Sequence, residues 1–527
     1  MPPYDMTEKN RQMKTTVSLM WTCLAIVTAG LFGAGAAAYA ITQPERTTTL
    51  WTPVLEWSVA NPDFEGNPFD IEATAVFTHE ETGETYTTAL FYDGDDTWRF
   101  RFFASRTGRW TYVTTSAHSA LDGHGGTVDV APNPDPDSRG CLTTIDGNRW
   151  TWQTGPSGQA QPFVPQLVMY KRPHAIERMS DEELLDDIRV WFDQHGFNGL
   201  HVSWMGCRWF DFDKERHSEF DTDDPNPDPR TFAVLERLIT LAHQSGGFVH
   251  IWKWGDEDRR MTPIRWGING AADKRLQRYL AARLGPLPGW TLGYGFDLWE
   301  WVSGEQLNEW HGYMHAHLPW PRILGGRAHR HGASVADAMT YELDYVGYET
   351  HRPDYDLYVA ALEQQPDRPA FMEDRFRVRY SIWRAKDYSL DDTRRGLWRS
   401  AMAGGVANIW GYLLPNDDEG GSRPYPNQHQ IRTYADFFAN RFLKGMERDN
   451  ALTNGVCLRR GNSQFLFYGE DLNEITMNLD AIDSPLPAIA IDTKTPYYEF
   501  QISELEPDTH TWKAPYHSDW AVAVGAF

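Results

Sequence analysis

The sequence predicts a multidomain fold in which a (β/α)8 TIM barrel is flanked by N-terminal and C-terminal β-sandwich domains. Three observations lead to this prediction. A chain of 527 residues is too long for one ordinary domain. Its middle part alternates short apolar runs with segments of helical period, which is typical of a parallel α/β barrel. Both flanking parts contain short β-rich runs separated by turn residues, which is typical of antiparallel sheets.

The first forty residues have the pattern of an export signal. Three basic residues precede an apolar run at 17–32, and Ala38, Tyr39 and Ala40 fit a cleavage site for small residues. We therefore expect residues 1–40 to be a signal peptide or a signal anchor, and the protein to be secreted or held at the cell surface. The apolar run is long enough for an uncleaved membrane tether, and this alternative stays open.

The region 48–132 is predicted to be an immunoglobulin-like β-sandwich, because it consists of short alternating runs divided by turns. Four of its segments are Asn-Pro-Phe-Asp at 67–70, Phe-Tyr-Asp-Gly at 91–94, Thr-Trp-Arg-Phe-Arg-Phe at 97–102 and Gly-Arg-Trp-Thr-Tyr at 108–112. Together they resemble the N-terminal β-sandwich of apiosidase-like glycoside hydrolases and their relatives. The resemblance implies a glycosidase with a catalytic barrel and a C-terminal accessory β-sandwich, and it names no sugar.

The barrel is predicted at 133–445, after a linker rich in Pro and Asp. Its strand candidates are 163–170, 199–204, 248–254, 290–297, 322–325, 345–349, 369–373 and 406–410. Helical patterns between them are 180–194, 229–244, 272–284, 304–317, 354–365 and 393–403. Short strands return at 446–527, where we expect the C-terminal β-sandwich. The fifth and sixth barrel units are the weakest part of this count.

The fourth barrel strand separates an apolar face from a face of glycines. The apolar face carries Leu292, Tyr294, Phe296 and Leu298, and the other face carries Gly293, Gly295 and Asp297. We expect the apolar face to pack on helices and the glycines to leave room inside the barrel. The Asp297 carboxylate should then emerge at the carboxyl end, where such barrels place their chemistry. Glu300 follows between two tryptophans, and Ser303 with Gln306 predicts a helix cap.

Hydrolysis of a glycosidic bond needs one carboxyl group as an acid and another as a nucleophile or base. Glu373, at the end of the seventh strand, is the predicted nucleophile or base; a structural ion pair with Arg375 or Arg377 is the alternative. Asp297 and Glu300 are alternative acids on the fourth strand, and the resemblance favours Asp297. These strand positions resemble those of retaining barrel glycosidases. Retention requires carboxyl groups about 5–5.5 Å apart, and inversion about 6.5–9.5 Å.

Other strand ends supply candidate substrate-binding side chains. These are His201, His250, Trp252, Trp254, Glu349, His351, Arg375, Asn408 and Trp410. The three tryptophans could stack on a sugar ring, with core packing as the equal alternative for each. A basic cluster near the predicted mouth consists of Arg208, Arg259, Arg260, Arg265, Arg375 and Arg377. It would suit a uronate or a sulfate, although solvated loop charges are the simpler interpretation.

Charge and motifs exclude several classes of protein. The net charge of −24 argues against a general nucleic-acid partner. No phosphate loop, dinucleotide fingerprint, nucleophile elbow, paired CxxC or HExxH motif occurs, so we expect neither a metal nor a cofactor. Three cysteines follow the export segment, and one bridge, such as Cys141 to Cys207, is left open.

The sequence thus predicts an exported glycoside hydrolase acting on O-glycosidic bonds of a plant, algal or microbial polysaccharide or oligosaccharide. Apiose itself is not the expected substrate, because a full apiosidase signature is missing. The alternative is a non-catalytic carbohydrate-binding or surface-adhesion protein that uses the barrel as a scaffold. A polysaccharide lyase is disfavoured, because Tyr294 and His351 form no obvious catalytic pair.

Overall fold

The computed structural model describes residues 41–42, 44–145, 151–155, 159–215, 218, 222–256, 261–329, 342–349, 352–376, 389–411, 424–439, 441 and 445–527. The chain divides into two units, residues 1–41 and 42–527. The predicted export segment, 1–40, lies outside the described residues. None of the helices in the described ranges is long and apolar enough to cross a membrane.

The N-terminal region forms two sheets with a shared core. One sheet contains Arg46–Thr49, Ala73–His79, Thr85–Ala89, Gly108–Ser116 and His124–Ala131. The other contains Leu55–Ala60, Phe91–Tyr92 and Thr97–Phe102. Alternate side chains such as Trp57, Phe77 and Phe100 are buried between them, as the period-two pattern predicts. A further small sheet, Leu142–Thr144, Thr151–Thr154 and Ala160–Phe163, leads into the barrel.

Eight parallel strands form the barrel, which confirms the predicted fold class. They are Gln166–Met169, Gly199–Ser203, Phe248–Trp254, Trp290–Gly295, the split strand Leu324–Gly325 and Arg327–His329, Val346–Tyr348, Ala370–Phe376 and Ala407–Trp410. The first strand pairs with the second and the eighth. The fifth strand, interrupted at Gly326, pairs with the fourth before the break and with the sixth after it. The ring of strands is thereby completed.

Helices surround this barrel. Those described are Pro173–Arg178, Asp181–Arg189, Pro229–Gln244, Ala271–Leu284, Gly304–His317, Tyr355–Gln364, Leu390–Ala403 and Gln428–Phe438. Shorter helical turns are Pro68–Asp70, Val190–His195, Gly206–Trp209, Ile264–Trp266, Leu298–Glu300 and Asn450–Leu452. The predicted cap at Ser303 is confirmed, because Ser303 and Gln306 make reciprocal side-chain to backbone hydrogen bonds.

The C-terminal region is one antiparallel sheet of six strands. In chain order they are Glu447–Arg448, Val456–Arg460, Gln464–Asn478, Leu486–Asp492, Phe500–Leu505 and Thr509–Val524. Arg394 and Arg395 of helix Leu390–Ala403 bind the same carboxylate of this sheet, Asp519, at 2.5 and 2.8 Å. The Arg394 and Asp519 side chains are fully buried. The sheet is therefore attached to the barrel by a desolvated ion pair.

Buried charges also connect the N-terminal sheets to the barrel helices. Arg101 and Arg283 both bind Glu236 at 2.6 Å, and Arg283 binds Asp93 at 3.0 Å. Because all four side chains are largely buried, each charge depends on its partners for solvation. The contacts of Arg101 with Glu236 and of Arg283 with Asp93 join sequence regions that are more than a hundred residues apart.

The described cysteines do not form a disulfide. Cys141, Cys207 and Cys457 are all buried and free, so the bridge considered between Cys141 and Cys207 is wrong. Burial raises the pKa of the Cys141 thiol, although neighbouring Arg322 opposes this shift. Burial also raises the pKa of Cys207 to about 11.

Candidate active site

The inward face of the barrel carries both apolar and polar buried side chains. The buried apolar side chains include Leu167, Met169, Phe248, Trp252, Ile323, Phe371, Ala407 and Ile409. Alternation along the strands places His201, His250, Arg327, Tyr345 and Glu373 on this same face. The polar set gathers side chains from strands two, three, five and seven and from Tyr345, just before strand six.

Four of these side chains form a buried chain of polar contacts. His201 Nδ1 lies 2.8 Å from His250 Nδ1, so the hydrogen between them belongs to one of the two rings. His250 Nε2 lies 3.1 Å from the Tyr345 hydroxyl and 3.2 Å from Glu373 Oε1. The Tyr345 hydroxyl donates to Glu373 Oε1 at 2.6 Å. The orientation of the Glu373 carboxyl group is therefore fixed through one oxygen.

Two glycines leave the space that Glu373 occupies. A Cβ at Gly293 would lie 3.2 Å from Glu373 Oε1 and 2.8 Å from Trp252 Cδ1. A Cβ at Gly347 would lie only 2.5 Å from Glu373 Oε2. The expectation that Gly293 leaves room inside the barrel agrees with this geometry. Glu373 Oε2 is buried and has no hydrogen-bond partner among the described residues, so it can accept a further donor.

Asp297 follows the fourth strand with a left-handed backbone, at φ 54° and ψ 32°. Its carboxylate pairs with Arg327 of the fifth strand. Burial raises the pKa of Asp297; Arg327 opposes this shift, and the negative charges of Glu349 and Asp256 reinforce it. Asp297 is therefore more readily protonated than an ordinary aspartate. Arg327 Nη1 also lies 3.4 Å from the backbone carbonyl oxygen of Glu373.

Phe296 differs from the prediction. It was expected to face the helices with Leu292 and Tyr294, which do pack outside the barrel. Phe296 instead belongs to the interior, where its ring lies 4.8 Å from the Trp252 ring and 5.1 Å from the Arg327 guanidinium carbon. The physical reason is that the strand ends at Gly295, so strict alternation does not continue to Phe296.

The remaining acids and tryptophans occupy different environments. Glu300 is exposed on the turn Leu298–Glu300. Glu349 is half-buried and close enough to influence Asp297. Trp252 and Trp254 are completely buried, and Trp252 contacts the His201 ring edge to face at 4.3 Å. Neither tryptophan presents an exposed ring surface for a sugar.

Asn408 and Trp410 lie on the outer face of the eighth strand. Asn408 accepts a hydrogen bond from the Tyr358 hydroxyl at 2.7 Å, and Trp410 donates to Gln166 at 2.9 Å. A Cβ at Gly396, in helix Leu390–Ala403, would meet the Trp410 ring at 2.5 Å. Both residues thus pack between strand and helix, and we do not assign them to substrate contact.

Several residues predicted at the barrel mouth are not among the residues that the structure describes. His351, Arg259, Arg260 and Arg377 lie outside the described residues, as does the side chain of Arg375. Arg208 is buried and binds Glu215 at 3.2 Å, whereas Arg265 lies 3.4 Å from Asp223 at the surface. The anionic-sugar hypothesis for this cluster stays a prediction.

Sequence reasoning missed two residues of the site, Arg327 and Tyr345. Tyr345 and the predicted Glu349 are four residues apart on the same strand candidate, so alternation places both on one face, and this pattern could have identified Tyr345. Arg327 continues the face of Gly325, but it lies beyond the predicted end of the fifth strand. Extending that strand by two residues would have placed Arg327 next to Asp297.

Comparisons with known proteins found one matching family model and several solved structures of similar fold. Residues 48–117 match a family model described as a domain of unknown function, DUF5060. No curated protein matches the chain. A crystal structure from Bacteroides vulgatus ATCC 8482, of a presumed glycoside hydrolase, is 18% identical with a TM-score of 0.69. The alignment covers 91% of this chain and 99% of the chain in that structure.

Two further structures share the architecture. One is described as a glycoside hydrolase, with 14% identity, a TM-score of 0.56 and coverage of 73% of this chain and 97% of its own. The other is a family 5 glycoside hydrolase from Bacteroides vulgatus ATCC 8482, with 15% identity, a TM-score of 0.54 and coverage of 73% and 92%. At these identities the similarity establishes the fold alone.

Proposed function

We propose that the protein is a glycoside hydrolase that cleaves O-glycosidic bonds in a polysaccharide or oligosaccharide. The observation that carries this proposal is the position of Arg327 between two acidic residues. It pairs with the Asp297 carboxylate and reaches the Glu373 backbone at 3.4 Å. Arg327 thus connects the acidic side chain that follows the fourth strand to the backbone of the acidic residue on the seventh strand. The carboxyl ends of such strands are where barrel enzymes place their chemistry, which supports the proposal.

The two environments suit different roles. Asp297 acts as the general acid, because its raised pKa favours the protonated form that must give a proton to the leaving oxygen. Glu373 acts as the nucleophile, with Tyr345 holding Oε1 and Oε2 free to attack the anomeric carbon. Asp297 then takes a proton from water, whose oxygen displaces Glu373 and releases the sugar with retained configuration.

Further parts of the proposal rest on the sequence and on structural relatives. The structures of similar fold are described as glycoside hydrolases, which agrees with a carbohydrate substrate. Residues 1–40 would export the protein, and the apolar run would tether it to the membrane if it is not cleaved. A plant, algal or microbial polysaccharide is the substrate class that we infer.

One observation favours the non-catalytic alternative, a carbohydrate-binding or surface-adhesion protein. The side chain of Glu373 has no exposed surface, and a nucleophile must reach the anomeric carbon. In this second function the buried Glu373 would be a structural group that supports the barrel interior through Tyr345 and His250.

The decisive experiment measures reducing-sugar release from neutral, uronate-containing and sulfated polysaccharides. It compares the parent protein with Asp297→Asn, Glu373→Gln and the exposed matched control Glu300→Gln. We expect the first two variants to lose at least about 10²-fold in kcat, the usual contribution of a catalytic proton donor, and the control to stay within about threefold. Circular dichroism and thermal melting confirm that each variant is folded.

The outcomes separate the two functions. Release by the parent and the control, but not by the other two variants, supports the proposed acid and nucleophile. Release that persists in Glu373→Gln removes that residue from the mechanism. Binding of a polysaccharide without any release by the parent supports the adhesion protein. Proton NMR of the first product anomer then tests retention.

A further inference from the structure

A second polar cluster lies outside the barrel, on the side of helix Gly304–His317. His311 and His315 are four residues apart on this helix, so their side chains share one face. Asp344, two residues before the sixth strand, lies opposite them. His311 Nε2 is 3.5 Å from Asp344 Oδ1, and His315 Nε2 is 3.0 Å from Asp344 Oδ2.

The spacing fits a tetrahedral metal ion. Zinc bonds of about 2.0 Å to nitrogen and oxygen place neighbouring ligand atoms about 3.3 Å apart. The two nitrogen-to-oxygen distances, one to each carboxylate oxygen of Asp344, lie on either side of this value. The ligand atoms that the three residues offer all fall within 4.8 Å of one another. Two imidazoles and a carboxylate are ligands that zinc accepts.

Neighbouring groups orient two of the three side chains. The Tyr294 hydroxyl lies 3.3 Å from His311 Nδ1, the ring nitrogen that faces away from Asp344. If Nδ1 carries the hydrogen and donates it to Tyr294, the Nε2 lone pair faces the carboxylate, and a cation between them resolves this repulsion. The backbone N–H of Leu324 donates to Asp344 Oδ2 at 2.8 Å, which holds that carboxylate in place.

The cluster is also accessible from solvent. The side chain of His315 is 38% exposed, whereas those of His311 and Asp344 are 9% and 16% exposed. A metal ion can therefore enter past His315, and a water molecule can complete its coordination.

We propose that His311, His315 and Asp344 bind one zinc ion, with water as the fourth ligand. The ion would tie the helix that follows strand four to the segment that begins strand six. Tyr294 of strand four and Tyr345, the residue after Asp344, flank the site, and Tyr345 donates to Glu373. The zinc thereby braces two strands of the candidate active site from outside the barrel.

The test measures zinc directly in the full chain. Protein stripped with EDTA is titrated with zinc chloride by calorimetry, and its metal content after dialysis is measured by mass spectrometry. The variant is His315→Gln, whose exposed position limits effects on folding. The control is His317→Gln, because His317 lies on the same helix and contacts the Tyr313 carbonyl instead of the cluster.

We expect one zinc per chain in the parent and in His317→Gln, and at least tenfold weaker binding in His315→Gln. Zinc should raise the melting temperature of the parent and the control but not that of the variant. Equal binding by His315→Gln, or no retained zinc in the parent, would overturn the proposal and assign the cluster to a proton-mediated contact. Because the readout is metal content, the result is independent of polysaccharide cleavage.

Discussion

Arg327 is the residue on which the chemistry of Asp297 depends most directly. Burial raises the pKa of Asp297, and the positive charge of Arg327 opposes that shift. The same guanidinium packs on Phe296 and approaches the Glu373 backbone. One side chain thus opposes the raised pKa of the proposed acid and contacts the backbone of the proposed nucleophile.

Replacing Arg327 should shift the pH dependence of the proposed glycosidase activity. A general acid works only when protonated, so activity falls as pH rises through its pKa. Arg327→Gln removes a charge that lowers the pKa of Asp297, and we expect the alkaline limb of kcat/KM to move up by about 1 pH unit or more. Arg327→Lys keeps a positive charge and should move the limb less than Arg327→Gln does. An unchanged limb in Arg327→Gln would argue against Asp297 as the acid.

At the scale of secondary structure, two glycines of the fourth barrel unit have opposite roles. Gly293 lies in a strand, where a Cβ would contact Trp252 at 2.8 Å and the Tyr345 hydroxyl at 3.0 Å. Gly312 lies on the exposed side of helix Gly304–His317, where a Cβ would meet nothing within 4 Å. The same substitution should therefore have opposite effects at the two positions.

Alanine scanning of these glycines tests the packing of the site. We expect Gly293→Ala to lower the free energy of unfolding by about 1–3 kcal/mol, because the methyl group overpacks the interior. It should also reduce kcat/KM at least tenfold, since Glu373 must shift. Gly312→Ala should raise the free energy of unfolding by about 0.5–1 kcal/mol, because alanine is the better helix former. Urea denaturation and initial rates measure both effects; equal behaviour of the two variants would contradict this account.

The elements were more predictable from the sequence than the contacts between them. Period-two alternation predicted the inward direction of Gly293, but it failed for Phe296 because the strand ends one residue earlier. It also suggested Asn408 for the mouth, since a short apolar strand does not show which face is inside. Arg327 was missed because Gly326 interrupts the fifth strand, and no local pattern predicts a strand that continues past such a break.

At the scale of the whole molecule, charged contacts join the sheets to the barrel. Arg394 and Asp519 form a fully buried pair across 125 residues of sequence. No sequence pattern could have predicted it, because the partners are surrounded by different local motifs. Burial raises the pKa of Asp519, but hydrogen bonds from the Arg395 side chain and the Asp471 backbone N–H lower it, and so does the positive charge of Arg394. The net result is a pKa below the ordinary value of 3.8.

Removing this carboxylate should loosen the attachment of the C-terminal sheet. We expect Asp519→Asn to lower the free energy of unfolding by about 3–5 kcal/mol at pH 7, because the fully buried Arg394 loses its buried counter-charge and keeps only the exposed Asp391 as an acidic partner. The stabilisation from a lowered pKa is fully present above the ordinary pKa and is lost as pH falls through the folded one. The difference between parent and variant should therefore shrink below about pH 4. Urea unfolding from pH 3 to 7 measures it, with the exposed Asp483→Asn as the control; a difference independent of pH would contradict this explanation.

The break in the fifth strand at Gly326 affects both the closure of the barrel and the position of Arg327. A Cβ there would meet Leu298 Cδ1 at 2.7 Å, so only glycine fits without a rearrangement. The residue before the break pairs with strand four, and the residue after it is Arg327, which pairs with strand six. Residues 325–327 therefore both close the barrel and position the guanidinium that pairs with Asp297. A substitution in this short junction would therefore disturb both the pairing of the fifth strand and the position of Arg327.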